Sequence, residues 1–191
     1  MDAASDLFAR YEYDAISLNG IAEAAGISKP SVYRYYSSKE EIFLVILTEQ
    51  RESFFSEFNE RLLKLGVPAE AQCIAGAWTD TALRHETLLD LLPLLMTSLE
   101  RNSSVEEIVK FKASGRVKLK EVVDTLVLVG PALSAHQWST VIETAIAYMA
   151  GLWPVCNPGE RVQEAMRHQD VDQHPWDFRH RQTEYFCTLV R

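Results

Sequence analysis

The sequence predicts an all-α fold, and three observations carry that prediction. No stretch alternates apolar and polar residues long enough to build a strand. Only 8 Gly and 7 Pro punctuate the 191 residues. Apolar positions recur at three- and four-residue steps behind capping signals, as after Ser38, Ser104 and Ser134. With 47% hydrophobic and 24% charged residues the chain falls in the globular class. No apolar run approaches the roughly 20 residues that span a bilayer. No basic-then-apolar start resembles a leader peptide, so a cytoplasmic location is expected. Cys73, Cys156 and Cys187 are far apart and form no Cys-x-x-Cys pair, which argues against structural zinc and for reduced thiols.

The elements follow in order. A first helix is expected over Asp2–Tyr11, with Leu7 and Phe8 inward. Ser17 is a good N-cap for a second helix near 18–25, whose small apolar face is Ile21, Ala22 and Ala25. Gly26 suits the left-handed residue that stops a helix, and Ile27 can fill the angle behind it. Ser28 can cap a third helix near 29–36, with Pro30 in its first turn, where a missing N–H costs little. Ser38-Lys39-Glu40-Glu41 reads as a capping box opening a long fourth helix. Phe43, Leu47, Phe54, Phe58 and Leu62 line it until Gly66-Val67-Pro68 ends it. That helix serves both halves of the chain, giving a small domain over 1–45 and a larger one over 46–191. Further helices are expected near 69–84, near 86–100 with an interruption at Pro93, and from the box at Ser104-Val105-Glu106-Glu107 to about Val129. Another runs from a cap at Ser134–Gln137 to about Cys156, followed by pieces near 160–168 and 176–190.

The stretch 17–41 carries most of the functional information. Two short helices meet at a tight turn, and the second displays Lys29, Ser31, Tyr33, Arg34 and Tyr35 on a piece too short for a wide core face. Hydrogen-bonding groups on such a helix are what a DNA major groove requires. The pattern Leu18-x-x-Ile21-Ala22-x-x-Ala25-Gly26-Ile27-Ser28-x-x-x-Val32-Tyr33-x-Tyr35-Tyr36-x-Ser38-Lys39-Glu40 resembles the TetR/AcrR family of one-component transcriptional regulators. The resemblance is strong over 17–45 and rests on helix order alone beyond it. It implies an N-terminal three-helix helix-turn-helix domain, joined by the shared long helix to a larger helical ligand-binding and dimerisation domain. It also implies that Asn19, Lys29, Pro30, Ser31, Tyr33, Arg34, Tyr35 and Lys39 form the DNA-reading set. Lys39 would bind phosphate beside the positive end of the fourth helix. Val32 and Tyr36 would pack inward.

Charge runs against this. The chain carries a net −8, and its first 51 residues hold five basic against eight acidic side chains, a net of −3. DNA-reading domains usually show a basic footprint. The alternative is therefore a regulator-like protein that binds a ligand or a partner protein but not DNA. No Gly-rich phosphate loop, Ser/His/Asp pattern or paired carboxylates point to an enzyme, and no cofactor is implied.

In the larger domain Trp78, Met96, Phe111, Trp138, Tyr148 and Trp153 are candidates for lining an effector pocket, with His136 and Glu143 as polar anchors. The same bulky residues also suit an ordinary core. The composition points to a small apolar or aromatic effector. Two apolar stripes point to a homodimer through a four-helix interface. One is Val141, Ile142, Ala145, Ile146, Met149, Leu152 and Trp153; the other is Trp176, Phe178, Tyr185, Phe186 and Leu189. Either stripe could instead complete the monomer core. His168, Asp170, Asp172 and His174 alternate as metal ligands can, although a solvated loop explains them equally well. The function expected is a ligand-responsive repressor that binds a palindromic double-stranded operator as a dimer.

Overall fold

The computed structural model describes residues 1–168, 170–171 and 173–190. Among these it forms helices α1 (Asp2–Phe8), α2 (Leu18–Ala24), α3 (Lys29–Tyr33), α4 (Lys39–Leu62) and α5 (Ala71–Ala82). Then come α6 (Glu86–Leu94), α7 (Val105–Val129), α8 (Ala135–Cys156), α9 (Glu160–Met166) and α10 (Phe178–Leu189), and no strand is present among the described residues. A 3₁₀ turn covers Tyr13–Ala15 and a π-helical turn covers Leu95–Leu99.

Helix α4 is the spine. Phe43, Leu47, Phe54, Phe58 and Leu62 are all buried, as their spacing predicts. They pack against α7, α5, α6 and the end of α1. Burying a Phe side chain stabilises by roughly 2–3 kcal/mol, so this one helix anchors both halves of the molecule. Its start departs from the expected capping box. Ser38 Oγ accepts the Glu41 N–H at 3.3 Å. The Glu41 carboxylate, however, accepts from Ser37 N–H at 2.7 Å and from Ser104 N–H at 3.0 Å. The box predicted at Ser104 is likewise absent, because that residue's amide is taken by Glu41 and Glu107 pairs with Lys110 instead. The box at Ser134 and Gln137 is complete.

Helix α1 ends three residues early. The N–H groups of Arg10 and Tyr11 both turn back to Leu7 O, freeing the chain to swing the Tyr13 ring against Phe8 and Phe43. Helix α6 contains Pro93, which lacks an N–H, and the π turn follows at once.

Much of the apolar stripe on α8 is used within the single chain. Val141, Ile142, Ala145, Met149 and Leu152 are buried within this single chain, against α6, α7 and α10. Phe178 and Phe186 of α10 are buried as well. The face of α8 left outward carries Ala147 and Gly151, and beside it Tyr148 stacks on Tyr185 with ring centroids 3.8 Å apart. None of the described helices is long and apolar enough to cross a membrane.

Candidate nucleic-acid interface

Local chemistry sets the α2–α3 turn. Ser17 Oγ accepts the Gly20 N–H at 3.0 Å, satisfying a donor at the start of α2. At its other end Gly26 adopts φ +67°. The Ile27 N–H reaches Ala22 O at 3.0 Å and the Gly26 N–H reaches Glu23 O at 3.1 Å. Those two bonds are the paired closure that a left-handed glycine makes possible at a helix C-terminus. Ser28 then caps α3 by accepting the Ser31 N–H at 3.3 Å. Ile27 does not fill the angle between the helices, being 46% exposed, and Ala25 also faces outward. Val32 performs the packing instead, together with Leu18, Ile21 and Ala22.

Most of the expected reading set is exposed to solvent. Lys29, Pro30, Ser31, Tyr33, Arg34 and Tyr35 are exposed, with Tyr33 at 53% and Tyr35 at 74%. The Arg34 guanidinium sits 5.9 Å from the Tyr35 ring centroid. The Ser31 hydroxyl is partly engaged, lying 2.7 Å from Ser28 Oγ. Asn19 is only half-exposed and its side-chain oxygen is buried without a partner.

Lys39 departs furthest from expectation. Its ammonium donates to Tyr13 O at 2.7 Å and lies 4.1 Å from the centre of the Tyr13 ring. It is half-buried, so part of its hydrogen-bonding capacity is spent inside the protein. Tyr13, at the start of the 3₁₀ turn between α1 and α2, is the hub here. Its hydroxyl donates to Glu40 Oε1 at 3.2 Å and meets the Ser98 hydroxyl at 3.4 Å. Burial first, and the nearby Glu40 charge after it, push the phenol far above its ordinary range. Ser38 Oγ donates to Asn102 O at 3.0 Å. The N-terminal helices are thus tied to residues 98–104 through Tyr13, Ser38 and Glu41.

The candidate effector residues do not converge on one cavity. Trp78 is fully buried among Phe54, Phe58 and Phe186, and Trp138 is fully buried beside Gly130. Both indole N–H groups are buried without an acceptor. Phe111 is buried between α4 and α7 under the Arg51 guanidinium. Trp153 donates to Asp90 at 2.7 Å and packs edge-on against Phe178. Tyr148 lies on the α8 surface, and Met96 on the π turn is 79% exposed. His136 and Glu143 point to solvent. In the expected metal segment Asp172 lies outside the described residues, and His168 pairs locally with Asp170. No group of three or more metal-binding side chains is found among the described residues.

Two family models cover nearly the whole chain. Residues 1–46 match the bacterial regulatory proteins of the tetR family, and residues 48–191 match the tetracyclin repressor-like C-terminal domain. The chain belongs to the tetR family. It is 37% identical over 60 residues to the HTH-type transcriptional activator FasR of Mycolicibacterium smegmatis, covering 31% of this chain and 27% of that protein. It is 26% identical over 113 residues to the fatty acid metabolism regulator protein of Bacillus subtilis, covering 58% of each. The matches thus span between about a quarter and three fifths of these relatives. Among solved structures, a TetR transcriptional regulator from Rhodococcus sp. RHA1 superposes with a TM-score of 0.62 at 18% identity, over 99% of this chain and 92% of that one. The regulator FadR from Bacillus subtilis, in complex with stearoyl-CoA, gives 0.56 at 17% identity over 99% and 95%. At these identities the superpositions show the shared tetR-family fold.

Proposed function

We propose that this tetR-family chain is a ligand-responsive transcriptional repressor. A homodimer would hold a palindromic DNA operator through α3, and a small apolar effector in the larger domain would release it. The observation that carries this reading is the turn at Gly26. It fixes α3 against α2 through Val32 and leaves Lys29, Tyr33, Arg34 and Tyr35 exposed to solvent. In a two-fold dimer the two copies of α3 would enter successive major grooves about 34–36 Å apart. Residues 1–45 would be the reading domain, with 46–191 for effector binding and dimerisation, and the protein would work in the cytoplasm beside its operator.

Trp78 and Trp138 support an effector with an apolar body and a carbonyl-type acceptor. A buried indole N–H without an acceptor is costly, and a ligand oxygen would satisfy it. Reaching them requires helices to part, because both side chains are fully buried. An acyl thioester is the first class to test, since one Bacillus relative is a fatty acid metabolism regulator and one structure of the same fold holds stearoyl-CoA. The ligand acts only through a difference in affinity between the two arrangements.

The acidic first domain favours one rival, a regulator-like protein without DNA binding. An electrophoretic shift with the protein and DNA from upstream of its own gene, at low and moderate salt, separates the two. Sequence-specific retardation that a long-chain acyl-CoA reverses is the expected result. Absence of retardation at both salts would overturn the repressor reading.

A further inference from the structure

Helix α9 is seven residues long, and none of them is buried. A helix that short does not hold in water by itself, so packing from elsewhere must support it. Its own chain offers mainly local anchors. Gln163 Nε2 donates to Pro158 O at 2.7 Å, and the Gln173 N–H reaches back to Met166 O at 3.1 Å. Across the arm that joins α8 to α10, Val155, Val162, Val171 and Trp176 are each between 44% and 53% exposed. One such side chain is ordinary on a surface, but four on one short arm mark a surface that something covers.

Both ends of the arm run into the outward side of α8 and α10. Val155 follows Ala147 and Gly151 at four-residue steps, so it extends the same ridge of α8, and all three are exposed. Trp176 lies against the Arg181 guanidinium, 4.9 Å from the ring centre. Arg181 is one turn before Tyr185, whose ring stacks on Tyr148 of α8. Whatever covers the outward side of these two helices therefore meets the arm as well.

Charge selects the occupant. Glu160 and Glu164 are balanced by Arg161 and Arg167. The ion pair in this stretch joins His168 to Asp170, and among the described residues those four form none. DNA or an anionic lipid surface would call for an excess of positive charge, which the arm lacks. Free charges of both signs beside apolar side chains suit a second copy, because across a two-fold axis each copy offers what the other requires. We propose that residues 158–168, with Val155 and Trp176, form an arm that packs on the partner subunit. This rests on the homodimer reading and adds to it a contact outside α8 and α10.

The test is sedimentation equilibrium of the full chain over a dilution series, which reads the dimer dissociation constant. Val162→Glu and Trp176→Ala should each raise it about tenfold or more, as loss of an interface anchor does. Val109→Glu, at an exposed valine of α7, should leave it within about twofold. In the Gly151→Glu background, adding Val162→Glu should not move the urea midpoint, because α9 has no buried residue in its own chain to lose. A lower midpoint there would assign α9 a role inside the monomer and overturn the proposal. A wild-type dimer whose dissociation constant is unchanged in both arm variants would overturn the arm and leave the dimer standing. A wild-type monomer at micromolar concentration would remove both.

Discussion

Tyr33 and Lys39 look equivalent in the sequence, two groups poised for phosphate, but their surroundings separate them. Tyr33 is free on the α3 surface, so Tyr33→Ala should leave stability within about 0.5 kcal/mol. It should weaken operator binding and lower the salt slope by about 1, measured by titrating salt in a binding assay. Lys39 holds Tyr13 from two sides. Lys39→Ala should therefore lower stability by about 1 kcal/mol in urea unfolding, with loss of operator affinity arriving through the displaced reading domain. Equal stability of the two variants would refute the distinction. The exposed set on α3 was legible because a helix of five residues has little room for both a core and a reading face. Tyr13 was not legible, because Lys39, Glu40 and Ser98, which define its role, are remote in sequence.

At the scale of elements, Gly26 and Glu41 hold the reading domain in shape and in place. A Cβ at position 26 meets nothing within 4 Å, so the cost of Gly26→Val is backbone strain alone. At φ +67° that is on the order of 1–2 kcal/mol, visible as a lower melting temperature together with lost DNA binding. Glu41 is a pH-dependent tie. Burial raises its pKa, but the hydrogen bonds from Ser37 and Ser104 outweigh this and leave it below its ordinary value. Its contribution is therefore complete above the ordinary carboxylate range and is lost as pH falls through the lowered value. The urea midpoint of wild type should exceed that of Glu41→Gln at neutral pH, and the gap should narrow towards pH 3; a gap constant with pH would remove the tie. Helix order, the Pro93 interruption and the core line of α4 were all readable from period and punctuation. The helix ends were less so. Ser38-Lys39-Glu40-Glu41 satisfies a local capping rule, but a distant amide at Ser104 competes successfully for the carboxylate.

For the whole molecule, the two apolar stripes were read correctly as packing surfaces, but much of each is consumed inside one chain. A sequence shows that a helix is apolar, not which neighbour takes which side. Charge at Phe186 would break the monomer core, where its ring packs on Trp78. The informative change is Gly151→Glu, on the outward face of α8 with nothing within 4 Å of the added Cβ. It should leave the monomer folded by circular dichroism, yet halve the mass seen by light scattering and abolish tight binding to a palindrome. A dimer of unchanged mass would move the interface elsewhere. The Glu41 carboxylate also joins a local amide and a remote one at a single side chain. The Ser104 amide reaches that acceptor from the start of α7 and is released when the reading domain lifts, whereas the Ser37 bond lies within the domain and is kept. Deuterium uptake at Ser104 should therefore rise on effector binding while that at Ser37 holds, making the pair an internal reference for domain opening in a protein carrying no label.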